Sequence, residues 1–153
     1  MKSPFKVIPA VYLVLKKDGT ILLLRRHNTG YQDGNYSLIA GHIDGNESLT
    51  TALAREAQEE AGITIDPADL RFVHLMHLPS EIPNSTDDER VTIYFTTDRY
   101  KGTLCNGEPH KCDDLHWFAD DALPKNIVPH VRYALENIGR GISYSEFGWQ
   151  QSA

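Results

Sequence analysis

The sequence lacks the features by which several classes of protein are recognised. It has two cysteines, Cys105 and Cys112, too few for a disulfide framework. Basic residues are fewer than acidic ones: the chain has 15 Lys and Arg and 21 Asp and Glu, which gives a formal net charge of -6 at pH 7. Contact with a nucleic-acid backbone usually needs a basic surface. We therefore expect no specific nucleic-acid partner, although a metal ion could still mediate contacts with phosphates.

Long apolar runs and several catalytic signatures are also missing. No run approaches the ~20 apolar residues of a membrane span, and Pro9 interrupts the apolar stretch near the N-terminus. We expect no membrane segment, no signal peptide and a cytoplasmic protein. The patterns GxxxxGK with Ser or Thr, HExxH and GxSxG are absent. Cys105, His110 and Cys112 lack a paired CxxC and a fourth ligand nearby, so we interpret them as loop residues rather than a metal site.

Hydrophobic patterning predicts strands and two helices in one domain. With 153 residues, the chain is large enough for a real core, and no linker or repeat divides it, so we predict a single domain over 1–153. A helix is predicted at 48–61, ended by Gly62, and a second from Pro129 to Gly139. Strands are predicted at 7–15, 20–26, 36–40, 70–78, 90–100 and 114–118, with an Asp-Gly hairpin turn after the first. This is an α+β fold, a mixed sheet with helices packed on its faces.

The segment REAQEEAG, residues 55–62, crowds carboxylates at the end of a helix where the dipole disfavours negative charge. At about 100° per residue, Glu56, Glu59 and Glu60 share one arc. The adjoining arc should face the core and holds Leu49, Leu53, Ala57 and Ala61. One interpretation is a solvated acidic face, because Glu forms helices well. The other is a metal site, whose oxygen ligands would suit Mg²⁺ or Mn²⁺ and argue against zinc.

The preceding loop completes a longer pattern. Gly41 is followed after five residues by Glu47, and after seven more by the segment 55–63, REAQEEAGI. This spacing matches the Nudix box, G-x5-E-x7-R-E-U-x-E-E-x-G-U, in which U is apolar and is filled here by Ala57 and Ile63. Many relatives have a proline just before the box, where this chain has Ile39-Ala40. The order of elements resembles the Nudix fold over most of the chain, which implies an α/β/α sandwich.

The resemblance implies a Nudix-type pyrophosphohydrolase. Members of the family hydrolyse nucleoside diphosphates linked to another group, by attack of water at phosphorus, with a divalent metal as cofactor. For this chain it implies Mg²⁺, with Mn²⁺ as the second choice, held by Glu56, Glu59, Glu60 and the Gly41 carbonyl. The expected partner is a nucleotide-type small molecule. The oligomeric state stays open, a homodimer included.

The resemblance also implies roles for single residues. The candidate catalytic residues are Glu56, Arg55, Glu59 and Glu108; Glu56 acts as a metal ligand or as the base that positions water. Arg55 also pairs with Glu47 to hold the loop against the helix, and Gly62 supports the box. Glu108 is either the extra acid that some relatives bring from a later loop or a solvated loop acid. Its rivals for that role are Asp87, Asp88 and Glu89.

The sequence leaves two interpretations for each candidate substrate-binding residue. Arg25 and Arg26 end a strand beside the box and either meet phosphates or form an exposed pair. Tyr31 stacks on a base or packs against the sheet. Two other functions compete with hydrolysis. A nucleotide-sensing module on the same fold would usually lose acids of the box, and this chain keeps them all. A Ca²⁺-buffering domain would leave the positions of Arg55 and Gly62 unexplained.

Overall fold

The computed structural model describes residues 1–150. That part of the chain contains eight strands, two helices and one short 3-10 turn, so the α+β prediction is confirmed. None of its helices is long and apolar enough to cross a membrane. In chain order the elements are β1 (Ile8–Lys17), β2 (Thr20–Arg26), β3 (Tyr36–Ser37), β4 (Ile39–His42), α1 (Leu49–Ala61), the 3-10 turn (Pro67–Asp69), β5 (Arg71–Leu78), β6 (Arg90–Thr97), β7 (Cys112–Ala119), α2 (Pro129–Gly139) and β8 (Tyr144–Glu146).

Strand β1 is the centre of the sheet. It pairs in parallel with β6 over eight residues, from Ile8 to Leu15, and antiparallel with β4 on its other side. Beyond β6 come antiparallel β5 and then the edge strand β8. The end of β1 turns into β2 through Asp18 and Gly19, whose φ angles of 51° and 75° are those of a type I′ turn. Strand β2 then pairs antiparallel with β3 and β7, so the sheet is mixed as predicted.

Alternate residues of β1 face two separate hydrophobic cores. Val11 and Leu13 pack in the core that contains Leu53 of α1, whereas Val14 packs in the core that contains Val131 of α2. Because side chains alternate across a strand, the two helices cover opposite faces of the sheet. The predicted α/β/α sandwich is confirmed.

The structure differs from the predicted elements in two places. The strand predicted at 36–40 is two strands, since Tyr36–Ser37 pairs with β2 and Ile39–His42 pairs with β1. Strand β8 was not predicted at all. It is short and two of its three residues are exposed. A buried histidine holds it in place, since His74 Nε2 lies 2.7 Å from the Ser145 hydroxyl.

Helix α1 is fixed at both ends. The Ser48 hydroxyl accepts a hydrogen bond from the Thr51 amide at 3.2 Å and caps the first turn. At the other end Gly62 adopts φ 67° and donates its amide to the Gln58 carbonyl at 3.1 Å. The predicted helix and its stop are confirmed, and its carboxylates are held at a defined position above β4.

Candidate active site

A cavity of about 690 Å³ opens between the C-terminal turn of α1, the strands β1 and β4, and three loops. One side, here called the acidic wall, consists of Gly41, Glu56, Glu59, Glu60 and Glu108. The other side, here called the aromatic wall, consists of Tyr12, Tyr31, Glu81, Arg90 and His130. The structure thus brings the predicted metal and acid residues together in one cavity, with Tyr31 and Arg26 also lining it.

Two carboxylates of the acidic wall are largely withdrawn from water. Burial raises the pKa of Glu60 well above its usual value, and the neighbouring charges of Glu56 and Glu108 raise it further. The Ala40 amide donates to Glu60 Oε2 at 3.1 Å and opposes that shift. Burial also raises the pKa of Glu56, which is 9% exposed, while the guanidinium of Arg55 opposes the shift. Both groups therefore hold a negative charge at a cost in free energy.

The absence of a side chain at Gly41 lets the Glu56 carboxylate approach the backbone of β4. A Cβ atom at position 41 would lie 2.1 Å from Glu56 Oε1, far inside contact distance. Gly41 is itself paired with Val11 of β1, so its position cannot shift easily. The box glycine is thus explained by close approach, and its carbonyl belongs to the same cavity wall as the carboxylates.

Arg55 ties the box loop to the helix. Its guanidinium lies 2.9 Å from Glu47 Oε1, 3.0 Å from Glu56 Oε1 and 3.4 Å from Glu59 Oε1. Its hydrogen bond to Glu47, first among several carboxylate contacts, raises the pKa of Arg55 and lowers the pKa of Glu47. Glu47 also accepts the Asp44 amide at 2.7 Å, which closes the loop. The structure thus places Arg55 and Glu47 in contact, between the box loop and the helix.

A later loop folds over the end of α1 and delivers Glu108 to the acidic wall. The Gly107 amide donates to the Glu60 carbonyl and the Cys105 amide to the Ala61 carbonyl, both at 3.0 Å. A Cβ at Gly107 would lie 2.1 Å from the Glu59 carbonyl oxygen, so only glycine permits this contact. The helix carbonyls left without partners inside the helix are satisfied in this way. Both cysteines are free, Cys105 exposed and Cys112 buried.

The three rivals of Glu108 are placed differently. Glu89 Oε1 lies 2.8 Å from His77 Nε2, and Asp87 is exposed on the long loop. Asp88 does line the cavity, but it is held by the Ser80 hydroxyl and lies 3.8 Å from Arg90. Of the four acids, Glu108 is the one whose charge acts on both Glu56 and Glu60.

The adjacent arginines of β2 point in different directions, as alternation along a strand requires. Arg26 lines the cavity and donates from Nε to the Tyr31 carbonyl at 2.6 Å. Arg25 does not line it; its Nε donates to Asp113 at 2.7 Å and its guanidinium lies 5.7 Å from the ring centre of Tyr36. The structure therefore brings Arg26 to the other predicted residues and leaves Arg25 outside.

Most of the aromatic wall was missed from the sequence. Tyr12 stacks on Tyr94 with ring centres 4.8 Å apart, and its hydroxyl lies 3.4 Å from His130 Nε2. Burial raises the pKa of Tyr12 to about 12 and lowers the pKa of His130 to about 4, so both are neutral at pH 7. These residues are 118 positions apart, and no spacing pattern links them. The only sequence feature that could have pointed to Arg90 is its position directly after a long polar loop.

Across residues 1–150 no three His, Cys, Asp or Glu side chains take up a metal-cluster geometry in this conformation. Two of the carboxylates are engaged elsewhere: Glu56 by Arg55 at 3.0 Å, and Glu60 by the Ala40 amide at 3.1 Å. The donors themselves are all oxygen atoms of carboxylates and backbone, a hard set.

The sandwich, the glycine-led loop and the acidic helix at one cavity define a hydrolase of the Nudix fold. The family model described as NUDIX domain matches residues 5–138. The chain belongs to the Nudix family, and the predicted hydrolase class is confirmed.

Curated relatives carry a more specific name. The NAD-capped RNA hydrolase NudC of Edwardsiella ictaluri (strain 93-146) is 30% identical over 120 residues, which cover 78% of this chain and 42% of that protein. The protein of the same name from Vibrio atlanticus (strain LGP32) is 31% identical over 126 residues, covering 81% and 41%. The chain thus spans less than half the length of these relatives.

Solved structures agree on the fold. The MutT NUDIX hydrolase from Burkholderia pseudomallei has a TM-score of 0.75 at 26% identity, covering 86% of this chain and 98% of that one. The MutT protein from Methanosarcina mazei Go1 has a TM-score of 0.72 at 24% identity, covering 88% and 94%, and shows the fold alone.

Proposed function

We propose that the chain hydrolyses a pyrophosphate bond in a nucleoside triphosphate or nucleoside diphosphate derivative, by attack of water at phosphorus. The observation that carries this is a pair of carboxylates in one cavity: the buried Glu56 lies against the Gly41 backbone, and Glu60, whose pKa burial raises, accepts the neighbouring Ala40 amide. Two neighbouring acids with raised pKa values carry their charge at a cost that Arg55, in contact with Glu56 alone, offsets only in part, and a further cation would offset the rest. Such an arrangement is typical of a functional site.

The donors of the acidic wall fit a divalent cation, which Nudix hydrolases generally use. Glu56, Glu59, Glu60 and the Gly41 carbonyl would hold it, with Glu108 facing them from the later loop. Hard oxygen donors favour Mg²⁺, with Mn²⁺ as the second choice. When bound, the ion neutralises charge on the diphosphate oxygens and lowers the pKa of a bound water.

The chain's own groups have separate tasks. Arg55 contacts Glu56 at 3.0 Å and holds the box loop against the helix through Glu47. Glu108 and Glu56 are the acids placed to accept the proton that the attacking water loses. Lys111, whose Nζ lies 3.8 Å from Glu108 Oε2, brings a positive charge to the same wall and attracts phosphate oxygens.

The names of the relatives extend the range of substrates. We infer that a dinucleotide such as NAD is a substrate candidate beside nucleoside triphosphates, because NudC proteins are named for NAD-capped RNA. The cavity of about 690 Å³ lies in the size range of ligand pockets. The net charge of -6 argues against extended contact with RNA, so the expectation of no specific nucleic-acid partner stays a prediction.

The test is a screen of the purified chain with Mg²⁺ against nucleoside triphosphates, NAD, NAD-capped RNA, ADP-ribose and nucleotide sugars. Reactions in ¹⁸O-labelled water, with products identified by mass spectrometry, show which phosphorus is attacked. We expect turnover of at least one nucleotide, lost on chelation with EDTA. If compounds bind but none of them is hydrolysed, the result would contradict the proposal and favour a nucleotide-sensing module.

A further inference from the structure

The aromatic wall is held together by one arginine. The Arg90 guanidinium donates from Nη2 to Glu81 Oε1 at 3.2 Å and to the Tyr31 hydroxyl at 3.3 Å. Its Cζ lies 6.0 Å from the centre of the Tyr31 ring. The Tyr31 hydroxyl in turn donates to Glu81 Oε1 at 3.1 Å. We call these three residues, Arg90, Tyr31 and Glu81, the arginine clasp.

The clasp joins two loops that lie far apart in the chain. Tyr31 lies in the loop 27–35, between β2 and β3, and Glu81 in the loop 79–89, between β5 and β6. Arg90 is the first residue of β6, a central strand, and its side chain is only 13% exposed. A central strand therefore supplies the group that joins the two loops to each other.

Each loop is braced internally, which leaves the clasp to set their relative position. Asp33 accepts the Thr29 and Gly30 amides, at 3.0 and 2.9 Å, within the first loop. Asp88 accepts the Glu81 amide at 3.1 Å and the Ser80 hydroxyl within the second. Removing Arg90 should thus move whole loops relative to the acidic wall rather than unfold either one.

The surface that the clasp presents suits an uncharged aromatic ring. The guanidinium carbons of Arg26 and Arg90 lie 5.4 and 6.0 Å from the centre of the Tyr31 ring, so one aromatic ring and two planar cations are grouped together. Tyr12 and His130 add neutral hydrogen-bonding groups to the same wall. The positive charge of Arg90 is matched by Glu81 at 3.2 Å and by Asp88 at 3.8 Å, so Arg90 itself has little net attraction for a phosphate. Stacking on aromatic and guanidinium faces is the general means of holding a base.

We propose that Arg90 is a positioning residue: it clasps the two loops through Tyr31 and Glu81 and so fixes the wall on which the heterocyclic base of the substrate stacks. This inference rests on the proposed function and names which part of the substrate meets the aromatic wall. Arg90 touches no reacting atom and acts through Tyr31.

The experiment compares a substrate with a base against a ligand without one. Wild type and Arg90→Gln are assayed with the nucleotide that the wild type turns over fastest, and 5-phosphoribosyl diphosphate, which has no base, serves as competitive inhibitor. We expect KM for the nucleotide to rise about tenfold with kcat within about threefold, while the Ki of 5-phosphoribosyl diphosphate moves less than about twofold. Arg90→Lys keeps the charge but lacks the planar guanidinium, so its KM should lie between those of the wild type and Arg90→Gln.

Two further variants guard against a folding defect. Tyr31→Phe keeps the ring and removes the hydroxyl shared by Arg90 and Glu81, and we expect a KM increase of about threefold. Arg71→Gln is the matched control, because Arg71 also begins a strand, is 63% exposed and pairs with Asp98 at 3.9 Å away from the cavity. It should leave KM and Ki unchanged.

Equal rises of KM and Ki in Arg90→Gln would overturn the inference, since they would mean a general loss of charge or shape. An unchanged KM in Arg90→Gln and in Tyr31→Phe would overturn it as well. Absence of turnover by the wild type with every nucleotide is a separate result, because it removes the proposed function itself and the inference with it.

Discussion

The acidic wall and the aromatic wall of the cavity are assembled in opposite ways. Gly41 comes from strand β4, Glu56, Glu59 and Glu60 come from the helix that follows it, and Glu108 comes from a later loop. Tyr12, Arg90 and His130 come from a strand, the start of another strand and the second helix. Apart from Glu108, the acidic wall is therefore local in sequence, with the spacing of its helix carboxylates set by the helical repeat, whereas the aromatic wall exists only once the sheet has formed. We infer that the first determines the chemistry and the second determines the substrate.

The largest effect separating the walls is expected at Glu60. Glu60→Gln keeps the shape but removes a charge that would bind the cation, so kcat/KM should fall by about 10³-fold or more. Since the lost charge is buried, thermal stability should stay equal or rise. Glu59→Gln should also abolish turnover. Kinetics and thermal melts check both, with the exposed Glu136→Gln on α2 as control; unchanged turnover in both box variants would discard the acidic wall as the catalytic centre.

The second largest effect is expected when a methyl group is added at Gly41. Gly41→Ala places a Cβ against Glu56 and must push that carboxylate or β4 aside. A displacement of about 1 Å costs about 10²-fold in rate when reacting groups are misplaced, so we expect a kcat loss of that order. Gly139→Ala, at a helix position where a Cβ meets nothing within 4 Å, is the matched control and should keep full activity. Full activity of Gly41→Ala would refute the close-approach argument.

We expect His130 in the aromatic wall to make the free energy of unfolding depend on pH. The pKa of His130 is about 4 in the folded chain against 6.5 for the ordinary group, because it is buried. The unfolded chain therefore binds a proton that the folded chain does not as pH falls from about 6.5 toward 4, and stability is lost in that window. Roughly 2 to 3 kcal/mol is at stake.

His130→Gln isolates this contribution. Its free energy of unfolding, from urea titrations at pH 7 and pH 4.5, should depend less on pH than that of the wild type. Other groups, including Glu60, titrate in both proteins and cancel in the difference. An equal pH dependence in the two proteins would mean that His130 is not buried in its neutral form.

The smallest expected effect is a difference between the adjacent residues Arg25 and Arg26. Arg26→Gln should raise KM about tenfold, because Arg26 lines the cavity and holds the Tyr31 carbonyl. Arg25→Gln should change KM less than about twofold, because its partner Asp113 lies outside. Steady-state kinetics on the same substrate decide; equal effects would mean that both arginines meet the phosphates.

The same contrast explains what the sequence could and could not predict. The hairpin at Asp18-Gly19 and the helix ended by Gly62 follow from local chemistry, and the pair of Arg55 and Glu47 was implied by the resemblance to the Nudix box. The break at Leu38 does not, because it arises where pairing changes from β2 to β1. Strand β8 is held by a buried histidine far away in the chain, and no local pattern marks it.

Placement of single side chains shows the limit again. Arg25 and Arg26 are equivalent as letters, and only the face of β2 on which each lies separates them. Glu108 could not be chosen over Asp88 until the contact of Gly107 with the end of α1 was known. Tertiary pairing, rather than composition, decides such cases.

The most direct test is a crystal structure of the chain with Mn²⁺ and a non-hydrolysable nucleotide analogue, using the anomalous signal of manganese. The account predicts an ion within about 2.0–2.3 Å of oxygens of Glu56 and Glu60, also in contact with the diphosphate. Nucleotide bound in the cavity with no ion density against that helix would contradict it.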